Sequence, residues 1–164
     1  MTFCAGYVQG PCPPGWQGFN GGKCLKYYSS QKTWQEALQS CQQCSSNPTS
    51  TLVSIPDSAT NSFVTSLISE NAWIGGQSDS SRRWTWSDGG TRWSYQNWNT
   101  GEPNDHKGIE DHLHLYGPGQ SLIGRWNDAA SSTHRLSYVC QLCKHLFRFC
   151  LKENVLLSDN GPPV

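Results

Sequence analysis

Glu102-Pro103-Asn104, Glu110 eight residues after Glu102, and Asn127-Asp128 together place three carboxylates and two amides in polar segments flanked by Trp98 and Trp126. Hard oxygen donors of this kind suit calcium, which takes roughly 6 to 8 of them at about 2.3 to 2.6 Å and tolerates irregular geometry. Neither a thiolate nor an imidazole is needed. A carboxylate only accepts hydrogen bonds whereas an amide also donates, so the set mixes two complementary functions.

The chain that must position these groups has 164 residues, enough for one domain with a single core. Lys plus Arg and Asp plus Glu stand at 12 each, so no basic footprint argues for nucleic acid or an anionic membrane. No apolar run approaches the roughly 18 residues of a membrane span. Eight Trp, six Tyr and five Phe concentrate apolar area in a few large side chains. Eight cysteines point to an oxidising compartment and a disulfide framework, hence secretion. Met1-Thr2-Phe3-Cys4 lacks the basic start and apolar core of a signal peptide, so a mature or engineered start is expected.

Lys23 to Tyr28 reads as a strand. Thr33-Trp34-Gln35-Glu36 has the form of a capping box, and Trp34, Ala37, Leu38 and Cys41 then share one helical face. After a short strand at Thr51 to Ile55, Asp57 is placed to cap a second helix whose apolar face carries Phe63, Val64, Leu67 and Ile68. Beyond Gly76 regular signals give way to Ser, Asp, Gly, Asn and Trp as far as Gly108; so long a polar stretch in a compact domain is usually functional. Strand-like pieces return at His112 to Tyr116, Ser121 to Trp126 and Ser137 to Cys140. The order predicts an α+β domain with a mainly antiparallel sheet.

The chain resembles the C-type lectin-like domain from about Cys12 to Cys143. The landmarks, in order, are Gly15-Trp16, Cys24, Thr33-Trp34, Cys41, Leu52-Val53-Ser54-Ile55, Trp73-Ile74-Gly75, Trp86-Ser87-Asp88-Gly89, Asn97-Trp98, Glu102-Pro103-Asn104, Glu110-Asp111, Trp126-Asn127-Asp128 and Tyr138-Val139-Cys140. The resemblance divides the chain into an extension over 1–11, a carbohydrate-recognition domain over 12–143 and a tail over 144–164. It implies two helices, two small sheets and a long calcium-bearing loop.

By the same resemblance, Glu102, Asn104, Glu110, Asn127 and Asp128 are ligands of one calcium ion and also hold a sugar. The pairs Glu102 with Asn104 and Glu110 with Asn127 would each grip one hydroxyl, the acid accepting and the amide donating. The order Glu-Pro-Asn resembles the version selective for equatorial 3- and 4-hydroxyls, as in mannose, glucose and N-acetylglucosamine, and for the equivalent hydroxyl pair of fucose. Pro103 is expected to follow a cis peptide bond, His106 to touch the sugar ring, and Trp98 and Trp126 to anchor the loop as core residues. A second family calcium site would draw on Asp79, Asp105 and Asp111, but its remaining acid falls at Arg83, where a cation would repel calcium. One strong site is expected.

The resemblance pairs Cys12 with Cys24 and Cys41 with Cys140, whereas the family's loop staple falls at His112 and Ser131, so the loop is expected to lean on its cation. Cys44 and Cys143, each three residues after a family cysteine, are expected to pair with each other rather than to form a zinc site. Cys4 and Cys150 are left to pair together or with another chain, giving a disulfide-linked homo- or hetero-oligomer.

The function so implied is a secreted calcium-dependent lectin for cell-surface or microbial glycans. An enzyme is not expected: His112 and Ser131, with acids nearby, lack any marked oxyanion hole, oriented base or cleft. The alternative is a calcium-independent lectin-like protein that binds a protein ligand.

Overall fold

The computed structural model describes residues 12–20, 22–43, 50–119 and 121–143. The 1–11 extension, the 144–164 tail, Cys4, Cys44 and Cys150 lie outside these residues, as does the Cys143 side chain, and with them the expected Cys44–Cys143 bridge.

Helix α1 (Trp34–Gln43) opens on the anticipated capping box: the Thr33 amide donates to the Glu36 carboxylate at 3.0 Å and the Glu36 amide to Thr33 Oγ1 at 3.3 Å. Two donors that the first turn would leave unpaired are thereby satisfied. Its buried face is Trp34, Ala37 and Cys41. Helix α2 (Ser58–Leu67) is capped by Asp57, which accepts the Thr60 amide at 2.7 Å, and buries Val64.

The strands are β1 (Gln17–Phe19), β2 (Lys23–Lys32), β3 (Thr51–Leu52), β4 (Ala72–Ser78), β5 (Trp84–Trp86), β6 (His112–Leu115), β7 (Trp126–Ala129) and β8 (Leu136–Cys143). They pair in the order β1-β2-β8-β4-β6-β7, with β3 on β8 and β5 on β4. Every pairing is antiparallel except β4 with β8, where Ala72 faces Ser137 and Trp73 faces Tyr138. That parallel seam joins the half containing β1, β2, β3 and β8 to the half containing β4, β5, β6 and β7, which carries the long loop.

The expected strand over Ser121 to Trp126 is instead a series of turns, and β7 begins only at Trp126. Gly124 takes φ 79°, which breaks the extended run and donates its amide back to Tyr116 O at 2.9 Å. The fully buried indoles Trp34, Trp73, Trp86 and Trp126 dominate the interior, each contributing roughly 2–3 kcal/mol by burial. Cys12–Cys24 ties the chain entry to β2, and Cys41–Cys140 ties α1 to β8 across 99 residues.

Candidate functional site

Trp126 fixes the base of the long loop. Its indole Nε1 donates to Asn61 Oδ1 on α2 at 2.7 Å, its amide to Asn97 O at 2.9 Å, and its carbonyl accepts the Asn99 amide at 2.9 Å. Trp98 packs edge-on to Trp126, with ring centroids 5.8 Å apart. Both indoles therefore anchor the loop, as their flanking positions suggested.

Side chains alternate faces along β7, so Asp128 points to the same interior side as Trp126 and is fully buried. Its Oδ1 accepts the Asn104 amide at 3.1 Å, and its Oδ2 accepts the Asp105 amide and Arg82 Nη2, each at 2.9 Å. The half-buried Asn127 donates its amide Nδ2 to the Asp128 carbonyl. Glu110 folds back on the loop: its carboxylate accepts the His106 amide at 2.9 Å, and its own amide donates to Asp105 Oδ1 at 3.1 Å. The structure thus brings Glu102, Asn104, Glu110, Asn127 and Asp128 into one neighbourhood through Asp105 and the β7 backbone. The Glu102-Pro103 peptide is cis. The His106 side chain is exposed beside this cluster.

Glu102 is the electrostatic exception. Its Oε2 is buried without a hydrogen-bond partner. Burial first, then the adjacent Asp128 carboxylate, pushes the Glu102 carboxyl above its ordinary range. A carboxylate oxygen with no donor, beside a second carboxylate, is a place where a cation fits. Among the described residues, however, no three His, Cys, Asp or Glu side chains converge as a ready cage; a cation here would rely on the amides of Asn104 and Asn127 as well.

The guanidinium in this region belongs to Arg82 rather than to Arg83. Arg83 points outward and pairs with Asp79 at 2.7 Å, while Arg82 reaches the loop. Counting four residues on from Asp79 marks Arg83; only the turn geometry reveals Arg82. The vacated staple position His112 is packed on the Trp34 ring, with centroids 4.1 Å apart, and its Nδ1 meets Asp111 Oδ1 at 2.6 Å.

The family model described as "Lectin C-type domain" matches residues 30–142. The chain belongs to this family. Among C-type lectins, it is 35% identical over 141 residues to the C-type lectin BfL-2 of Bungarus fasciatus, covering 82% of this chain and 84% of that protein. In structure it is similar to the cow carbohydrate-recognition domain of CD23 solved in the presence of a GlcNAc2Man3 oligosaccharide, with TM-score 0.69, 30% identity, and coverage of 81% of this chain and 96% of the other. It is equally similar to herring type II antifreeze protein, with TM-score 0.68, 31% identity, and coverage of 80% and 98%. One C-type lectin fold therefore carries different ligands among these neighbours. Among the described residues no helix is long and apolar enough to cross a membrane.

Proposed function

We propose that this C-type lectin is a secreted, calcium-dependent binder of mannose-type glycans on cell surfaces or microbes, acting in innate recognition or agglutination. Glu102, Asn104, Glu110, Asn127 and Asp128 would hold calcium, which when bound supplies a Lewis-acidic centre for two vicinal sugar hydroxyls. Glu102 and Glu110 accept from those hydroxyls, and Asn104 and Asn127 donate to them. Vicinal equatorial hydroxyls, as in mannose, glucose or N-acetylglucosamine, match this order of groups, as does the equivalent pair in fucose. His106, exposed at the rim, is placed to contact the ring.

The observation that carries this reading is the buried, partnerless Oε2 of Glu102 beside Asp128. Leaving such an oxygen unpaired costs roughly 1–3 kcal/mol, a cost that a bound cation removes. Single-sugar sites of this open kind gain useful strength through multivalency, to which Cys4 and Cys150 would contribute if they link chains. A glycan array probed in calcium and in EDTA tests the reading: mannose-type signals present only in calcium support it, and signals retained in EDTA overturn it.

One observation favours the second reading, calcium-independent binding of a protein ligand. Asp128 is already satisfied by two backbone amides and Arg82, so part of the cluster is neutralised within the chain. Under that reading the array stays blank in both conditions.

A further inference from the structure

Arg82 sits in a turn built to aim it. Asp79 Oδ1 accepts the Ser81 and Arg83 amides at 2.9 and 3.0 Å, and Asp79 O accepts the Arg82 amide at 2.8 Å. Arg82 itself takes φ 60°, left-handed backbone that a residue with a side chain adopts only when its surroundings compensate. That conformation sends the guanidinium inward, over Trp84 at 5.7 Å from the ring centroid. There Nη1 donates to the Glu110 carbonyl at 2.5 Å and lies 3.3 Å from Asp105 Oδ1, while Nη2 donates to Asp128 Oδ2 at 2.9 Å.

Three oxygens from two segments, the 102–110 loop and β7, therefore converge on one positive charge: the Asp105 carboxylate, the Glu110 carbonyl and the Asp128 carboxylate. Glu110 and Asp128 are themselves proposed calcium ligands, and Asp105 follows a third, Asn104. The arginine guanidinium offers several donors in a rigid fork, so it joins backbone and carboxylate oxygens as a small cation would. The pair is only partly screened, since the Arg82 side chain is 35% exposed and that of Asp128 0%.

We propose that Arg82 is a built-in cation and a positioning residue. It replaces a second metal ion beside the sugar site and holds the 102–110 loop in binding geometry before any calcium arrives. The proposal rests on the lectin reading for its biological sense, but the clamp is made entirely by groups of the chain itself. It also shifts the burden expected of calcium: the loop lacks its family disulfide, and Arg82 takes over part of the stapling.

The test is amide hydrogen exchange of the full chain in EDTA, for the wild type, Arg82→Met and Arg82→Lys, together with a titration using calcium alone. In Arg82→Met, exchange over 102–110 is expected to rise about tenfold, the effect of losing roughly 1.4 kcal/mol of tethering, while β2 and β8 exchange as in the wild type. Arg82→Lys, which keeps the charge without the fork, is expected to fall between the two. The wild type is expected to bind one calcium per chain. Unchanged loop exchange in Arg82→Met, a rise spread evenly over the whole fold, or two calcium ions in the wild type would each overturn the role of Arg82. Absence of calcium binding in the wild type, with the loop exchange behaving as expected, would instead overturn the sugar-site reading and leave the clamp standing.

Discussion

Asp128 Oδ1 accepts the backbone amide of Asn104 at 3.1 Å across 24 residues of sequence, so the residue that closes the candidate ligand set also fixes the peptide that opens it. The neighbouring Oδ2 does the same for Asp105 and receives Arg82. Asp128 is thus both a proposed ligand and a buttress of the loop.

Asp128→Asn is therefore expected to destabilise the fold even without metal. The substituted amide presents donors where three donors already converge and leaves Arg82 without its buried partner. Breaking such a pair costs roughly 3 kcal/mol, to be read from urea denaturation in EDTA. An unchanged midpoint would contradict the buttress role.

Acidification is expected to release calcium and sugar. The Glu102 carboxyl holds its proton to higher pH than an ordinary glutamate because it is buried beside Asp128, and calcium binds only the ionised form. Sugar retention should be full at neutral pH and begin to fall while the pH is still above the ordinary carboxylate value of about 4.3. Retention that is flat down to about pH 4 would refute calcium-bridged binding.

His114, buried in β6 opposite Asn127, gives a separate pH signature. Burial pulls its pKa from 6.5 down to about 4. A histidine depressed in the folded state binds fewer protons than the unfolded chain, so stability is lost as pH falls from about 6.5 toward 4. At roughly 1.4 kcal/mol per pH unit the full loss approaches about 3 kcal/mol. Denaturation of wild type and His114→Gln across this window, in EDTA, isolates the effect: the stability of the wild type relative to the variant should decline with falling pH. A constant difference would contradict it.

Sugar choice is expected to follow the order of acceptor and donor at the Glu-Pro-Asn turn. Glu102→Gln combined with Asn104→Asp reverses that order to the Gln and Asp pattern that the family resemblance associates with galactose, so preference should move from mannose toward galactose by about tenfold, one reversed pair being worth about 1–1.5 kcal/mol. Competition of free mannose and galactose for an immobilised glycan measures it. An unaltered ranking would remove the turn from the specificity argument.

The helices were legible because each carried local chemistry, the Thr33–Glu36 box, the Asp57 cap and the apolar faces around Trp34 and Val64, and of the eight described strands β2, β3, β6 and β8 were legible from their composition. The proposed ligand set of Glu102, Asn104, Glu110, Asn127 and Asp128 rests on resemblance rather than on local chemistry. Arg82 was not legible, because its role depends on a left-handed backbone angle set by the Asp79 turn, and two adjacent arginines look alike in sequence. The turns over 121–124 were missed for a similar reason: the positive φ of Gly124 cut short a run of plausible strand formers.

The most direct test of the central claim is calorimetric titration of methyl α-mannoside into the full chain at neutral pH, first with saturating calcium and then with EDTA. A saturable heat of binding is expected in calcium, disappearing in EDTA and absent from Glu102→Ala in both. Equal binding with and without calcium, or binding undiminished in Glu102→Ala, would contradict it.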